Sequence, residues 1–260
     1  MFTTINLVVP FILTITAISY LLTGIIFGAG KKQVGDVIFI ISWLLSLLLF
    51  LINAFVSRAI PLGNIYHVMT FVPVCLLPIY FITGRKIKLR IIDSSFAFVP
   101  VIMVVASFFM RKNIIWRPPP PLHSPWFMPH VTAYLIAYSL LFIAFTSLIS
   151  AIVTTSLKKD GSPYDNASWF LINYAFPFMT FGLCAGAIWA DSAWGSFWSW
   201  DSKETGALIM WVLYFIYLQT ARKHVILGRT IHFLAFMSLL ITFIFINLIP
   251  RFASLLHGYG

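Results

Sequence analysis

The chain has 260 residues, 60% of them apolar and 9% charged, with a mean hydropathy of +0.95, whereas an ordinary soluble domain is about 45–50% apolar and about 25% charged. A water-soluble globular protein is excluded. The formal charge of +10 on so apolar a chain points to loops facing an anionic membrane leaflet, and not to nucleic acid, since no basic cluster is interleaved with exposed aromatics.

A membrane-crossing helix needs about 20 predominantly apolar residues, and the charged positions divide the chain into eight such runs: 5–28, 37–57, 65–83, 91–110, 130–153, 169–190, 204–221 and 230–250. The runs are continuous and do not alternate with period two, so helices are expected and not a barrel. The predicted fold class is an all-α integral membrane protein, residues 1–260 forming a single polytopic domain of about eight transmembrane helices. The first run has no preceding Lys or Arg and exceeds a signal-peptide core in length, which predicts a retained helix. Pro73, Pro78, Pro100 and Pro177 fall inside runs and are expected to kink them. Cys75 and Cys184 also fall inside runs, without a CxxC pair, and read as small buried hydrophobes.

Between the fourth and fifth runs, Pro118 to Pro121 predict a stiff polyproline II strut leading to His130. Gly182 and Gly186 form a small-xxx-small pair in the sixth run, a helix-packing face. A tryptophan-rich loop, 191–203, precedes the seventh run, and the chain closes with a tail carrying His257. Of the seventeen Lys and Arg, eleven fall in the loops that carry Lys31, Lys32, Arg85, Lys86, Lys88, Arg90, Lys158, Lys159, Arg222, Lys223 and Arg229. That set is expected to be cytoplasmic, with both termini on the outer, periplasmic or lumenal, side. His123, His130, the tryptophan-rich loop and His257 then share the outer surface.

Trp189, Trp194, Trp198 and Trp200 crowd one connection beside Asp191, Asp201, Lys203 and Glu204. Tryptophans at helix ends often form an interfacial belt, but four of nine in one connection suit a large, flat, conjugated ligand such as a porphyrin. Porphyrin iron needs axial ligands, commonly imidazole, and His130 and His257 are the external candidates. His123 reads as a loop residue and His224 as a solvated one. His67 and His232 lie about one turn inside their runs, and an ionisable residue within the membrane is a functional candidate.

The run Trp194-Gly195-Ser196-Phe197-Trp198-Ser199-Trp200-Asp201-Ser202-Lys203-Glu204-Thr205 resembles the WGxxWxWDxKET signature (the WWD motif) of the CcsA/ResC family of System II cytochrome c biogenesis. Pro61-Leu62-Gly63-Asn64-Ile65-Tyr66 is similar to that family's PLxNxY segment. Leu122-His123-Ser124-Pro125-Trp126 through His130-Val131 resembles its segment with the first external histidine, and Leu256-His257-Gly258-Tyr259-Gly260 its LHxYG end. The resemblance implies a haem-handling subunit of a cytochrome c synthase of the haem lyase type. His130 and His257 would ligate the iron of haem b, and Trp189, Trp194, Gly195, Trp198, Trp200, Asp201, Lys203 and Glu204 would cradle the ring. Asp201, Lys203 and Glu204 would orient the loop, meet the propionates or cap the seventh run. An apocytochrome c CxxCH would present its thiols to the vinyl groups.

The resemblance further implies a ResB/CcsB membrane subunit as partner, activity only with that partner, and a place in the bacterial cytoplasmic or thylakoid membrane with the active face outward. The chain reads as a separate CcsA-type subunit. Two departures stand out. Tyr217-Leu218-Gln219-Thr220 has glutamine where the family has an inner histidine, so inner ligation is either absent or falls to His232. His67 stands where the family usually has glutamate, and is an added ligand or a polar replacement. Alternatives are a CcmC-type haem delivery protein, a permanent b-type electron-transfer protein, and a transporter or scaffold whose tryptophans form a belt.

Overall fold

In a computed structural model, residues 2–58, 60–62, 64–84, 86–110 and 120–245 are described. Eight α-helices and no strand occur among them. Seven helices are long and apolar enough to cross a membrane; the other, Ser202–Thr220, begins with the polar run Ser202-Lys203-Glu204-Thr205. The chain is an all-helical integral membrane protein. A helix satisfies its own backbone in hydrocarbon, and its hydroxyls do likewise. Thr16, Thr23, Ser42, Ser95, Ser139 and Thr180 each donate to a carbonyl four residues back.

Contacts gather the helices into two units, Met1–Pro118 and Pro119–Gly260. In the first unit, α1 (Phe2–Gly28), α2 (Lys32–Ser57), α3 (Ile65–Gly84) and α4 (Arg90–Phe108) close a ring in which α1 packs on α2 and α4, and α3 on the same two. Phe27, Phe39 and Tyr80 pack with ring centroids 4.9–6.3 Å apart. Beside them Lys32 Nζ meets the Asp93 carboxylate at 2.8 Å, and Tyr80 Oη donates to Asp36 at 2.5 Å. Pro73 and Pro78 lie inside α3, which runs through both. Pro78 has no N–H to give the carbonyl of Val74, four residues back; Trp43 Nε1 of α2 donates to that carbonyl instead, at 2.8 Å.

The second unit closes the same kind of ring. Its helices are α5 (Phe127–Ser156), α6 (Ser162–Trp194), α7 (Ser202–Thr220) and α8 (Val225–Leu240), the last continued by a π-helical turn, Ile241–Phe245. Here α5 packs on α6 and α8, and α7 on the same two. Phe145 and Phe236 stack at 3.9 Å between α5 and α8. With 33 residues at 1.5 Å each, α6 is about 50 Å long, longer than a hydrocarbon core of about 30 Å. Cys75 is half-buried, but Cys184 is exposed on α6, which corrects the expectation of two buried thiols: an apolar run leaves the rotation of its helix undetermined.

Candidate functional site

The outer candidates of the second unit assemble where α5 begins and α6 ends. His130 sits in the first turn of α5, its Nδ1 2.8 Å from the carbonyl oxygen of Gly182 on α6. A carbonyl only accepts, so Nδ1 donates, which fixes the tautomer with the lone pair on Nε2. The ring is stacked on Trp189, with centroids 5.5 Å apart and planes at 27°, and meets Tyr134 edge-on at 5.2 Å. Glycine permits this approach. A Cβ on Gly186 would stand 2.5 Å from His130 Nδ1, and one on Gly182 would stand 2.9 Å from the Tyr134 ring. The Gly182/Gly186 pair is thus a helix-packing face whose cargo is an imidazole and a phenol.

Trp189 is 5% exposed and ties three segments together. Its ring packs on Phe127 at 5.3 Å and on Trp194 at 5.0 Å, and its Nε1 donates to Pro121 O at 2.8 Å. Pro121 belongs to a 3₁₀ turn, Pro120–His123. This differs from the expected extended strut over the described part of the proline run: pinning by Trp189, and by Ser124 Oγ to Ser192 Oγ at 2.9 Å, folds the segment back onto α6. His123, at the end of that turn, is exposed.

Helix α6 runs on through residues 191–194 and stops at Gly195, whose φ of 75° is left-handed. That conformation costs a glycine little and ends a helix readily. Trp200 also adopts it, with φ 59°, although a tryptophan there pays about 1–2 kcal/mol. Its side chain is 69% exposed and meets Trp198 edge-on at 5.8 Å. The buried Nε1 of Trp198 has no hydrogen-bond partner among the described residues.

Asp201 and Glu204 form a capping box at the start of α7. Asp201 Oδ1 accepts from the backbone N–H of Lys203 and of Glu204, both at 2.8 Å. The Glu204 carboxylate accepts from Ser199 N at 2.7 Å, from Ser199 Oγ at 3.2 Å and from Asp201 N at 3.4 Å. Both carboxylates therefore orient the loop that carries Trp198 and Trp200. Lys203 is half-buried; burial lowers its ammonium to about 8, while the Asp201 carboxylate pulls the other way.

His232 lies toward the opposite end of α6. Its Nδ1 is 3.0 Å from Ser168 Oγ, which also donates to Ala144 O at 3.3 Å. With the serine proton directed at that carbonyl, Nδ1 is again the donor and Nε2 again holds the lone pair. His232 is fully buried, Nε2 has no partner among the described residues, and His232 lines a cavity of about 310 Å³ together with Arg222 and Arg229. Gln219 is exposed and does not line it. His67 belongs to the first unit, in α3, fully buried against Tyr66 at 5.4 Å with both ring nitrogens unpartnered among the described residues. His257 lies outside the described residues. Among the described residues, no group of three or more His, Cys, Asp or Glu gathers where it could hold a bare metal ion.

Sequence reasoning missed Tyr134 beside His130, Phe127 against Trp189, and Ser168, Trp169 and Arg222 around His232. The glycine spacing in α6 carried the only signal for Tyr134.

The fold and this imidazole–indole cluster define a polytopic α-helical membrane protein with aromatic walls and pre-oriented histidines. The family model for cytochrome C assembly protein matches residues 62–254. Over 196 residues the chain is 37% identical to the cytochrome c biogenesis protein CcsA of Chlamydomonas reinhardtii, covering 69% of this chain and 55% of that protein. It thus spans little more than half the length of that relative. It is 31% identical over 250 residues to the protein of the same name from Mesostigma viride, covering 82% and 81%, and 28% identical over 230 residues to that of Cyanophora paradoxa, covering 67% and 71%. The chain belongs to the CcsA family of cytochrome c assembly proteins.

Proposed function

We propose that this chain is the haem-handling subunit of a System II cytochrome c synthase, which holds haem b at the outer face of the membrane and presents it to apocytochrome c. The observation that carries the reading is His130, stacked on Trp189 with Nδ1 tied to Gly182. A second-sphere acceptor on one ring nitrogen aims the other and raises its basicity. His257 would supply the second iron ligand. Trp189, Trp194 and Gly195 wall the site, Trp198 and Trp200 edge the ring, and the Trp198 N–H has the chemistry to meet a haem carboxylate. Asp201 and Glu204 set the loop, and Lys203 supplies positive charge for a propionate.

Attachment follows by positioning. His130 and His257 would hold the iron, and the tryptophan-rich segment would set which edge of the ring meets an incoming CxxCH. Each thiol adds across one vinyl C=C: a carbon–sulfur bond forms, the thiol proton goes to the other vinyl carbon, and no electrons are gained or lost. The acceptor's own histidine would take the place of one of the two imidazoles once both thioethers are formed. No general base is assigned. A ResB/CcsB-type subunit contributes the acceptor's docking surface, so attachment requires both chains. The eleven-residue basic set faces the cytoplasm or stroma and the termini face outward, in a bacterial cytoplasmic or a thylakoid membrane.

His232 is the candidate for an inner haem station from which haem is exported, in place of the histidine that Gln219 replaces. The observation favouring it is the Ser168 bond that leaves Nε2 unpartnered. The separation of His130 and His232 along α6 disfavours a single permanent b-type haem held between them.

The test is the reduced and oxidised absorption spectrum of the chain copurified with its partner subunit, as wild type and as His130→Ala plus His257→Ala. A bis-histidine spectrum lost or shifted in the double variant is expected. A folded wild type with no haem overturns the ligand assignment, and a spectrum indifferent to the double variant transfers it to His67 and His232.

A further inference from the structure

Arg222 and Arg229 line one cavity of the second unit, about 310 Å³ in volume, and the two arginines are used differently. Arg229 is neutralised by Asp165, with its Nε and Nη2 on the two carboxylate oxygens at 2.9 and 2.7 Å. Asp165 is the one carboxylate of the lining. Arg222, in the turn between α7 and α8, has no ion pair among the described residues. Its guanidinium lies 3.6 Å from the centre of the Trp169 ring. A guanidinium left only to water keeps many rotamers, whereas one laid on an indole has its planar fork of N–H donors fixed in direction.

The lining therefore carries two guanidiniums against one carboxylate that is already spent. Val225, the first residue of α8, lines the cavity too, and α8 begins without a side-chain cap or an acid in its first turn, so the positive end of its dipole adds to the field. A cation finds no free carboxylate here, and a neutral ligand leaves the charge unanswered. A phosphate oxyanion accepts from the Arg222 fork and, with its remaining oxygens, from the Asn166 amide of the same lining. The volume stands at the lower end for small-molecule pockets, which suits a phosphate with a short polar substituent. The neighbouring surface decides what carries that phosphate. Val225, Ile226 and Leu227 are 47%, 82% and 48% exposed, three aliphatic side chains directly after the polar turn. A free phosphate leaves them in water, whereas an acyl chain covers them. Basic pockets between transmembrane helices take anionic headgroups in this way.

We propose that Arg222, set in place by Trp169, binds the phosphodiester of an anionic lipid headgroup in this cavity, with the lipid's acyl chains along Val225, Ile226 and Leu227. The site goes beyond haem handling and does not depend on it. It selects by headgroup charge: a glycerol headgroup leaves the phosphodiester as the single charge to be met, while a choline headgroup brings a cation of its own into a cavity that is already positive. The bound phosphate joins the first turns of α6, through Asn166, to the α7–α8 turn, through Arg222.

The full chain is purified in an uncharged detergent and mixed with equal amounts of phosphatidylglycerol and phosphatidylcholine of matched acyl chains, and the lipid it retains is counted by native mass spectrometry. Phosphatidylglycerol is expected to bind about tenfold more tightly than phosphatidylcholine, the gain of one hydrogen bond to a charged group. Arg222→Gln, at an exposed position, is expected to erase that preference with helical circular dichroism unchanged, and Trp169→Leu to reduce it. Lys88→Gln, at an exposed basic position of the first unit, is expected to leave it intact. Equal retention of the two lipids overturns the site, and so does a loss from Lys88→Gln as large as that from Arg222→Gln, which would show diffuse charge attraction only. Displacement of phosphatidylglycerol by millimolar inorganic phosphate overturns the lipid assignment in favour of the free ion.

Discussion

His130 and Trp189 lie face to face, 5.5 Å apart at 27°, and each is anchored by a backbone carbonyl: His130 Nδ1 by Gly182, Trp189 Nε1 by Pro121. The imidazole is therefore oriented by two elements at once. A side chain so fixed needs little reorganisation to meet a metal.

Gly186 is the weak point of that arrangement. Gly186→Ala places a methyl group 2.5 Å from His130 Nδ1 in the present geometry, so the ring must leave Gly182. The variant is expected to keep its helical circular dichroism and lose about tenfold or more in haem affinity, as disturbing a ligand's second sphere typically does. Unchanged affinity would show that Gly182 does not orient the ligand.

Trp200 is strained by its positive φ and largely exposed. Trp200→Gly removes the strain and the ring together. Stability is expected to rise by up to about 1 kcal/mol, partly offset by glycine's greater freedom when unfolded, while haem retention by the copurified complex falls. A variant both less stable and fully loaded would mean that the ring serves folding alone.

Asp201 has two roles to separate, cap and ligand contact. Asp201→Asn keeps an N-cap acceptor, whereas Asp201→Ala loses it at about 1 kcal/mol. Haem retention should follow the cap: near wild type in Asn and reduced in Ala, checked by thermal melting and the Soret band. Equal loss in both would assign the negative charge itself to function.

Lys203 should titrate near pH 8, against an ordinary value of 10.5. The shift is downward, so the folded chain releases this proton first. The group's contribution to stability accordingly rises between pH 8 and 10.5 and is flat below pH 8. Reductive methylation of Lys203 as a function of pH, read by mass spectrometry, should show a midpoint near pH 8.

The helical, membrane-spanning nature of the chain was legible because long apolar runs leave the backbone no other way to be satisfied. The tryptophan-rich loop was legible as a density of one residue type, and the glycine pair as a spacing. What stayed hidden depends on the rotation of one helix against another. Ser168 carries no sequence signal of its place beside His232 of α8, nor Trp169 of the Arg222 guanidinium on its face. Asp201 and Glu204 were open between capping and ligand contact, since their spacing suits both; the capping box supplies the first. The 3₁₀ turn at Pro120 was hidden because local proline preference gives way to a tertiary hydrogen bond from Trp189.

Helix α6 bears on how cargo would move. Gly182, which holds His130, and Ser168, which holds His232, are fourteen positions apart on it, about 21 Å along its axis. Both imidazoles are fastened to this one rod, so neither can travel with a porphyrin to the other. On the proposed reading, a haem passing from the inner ring nitrogen to the outer one would give up the first bond before gaining the second. Such a relay would turn on ligand exchange.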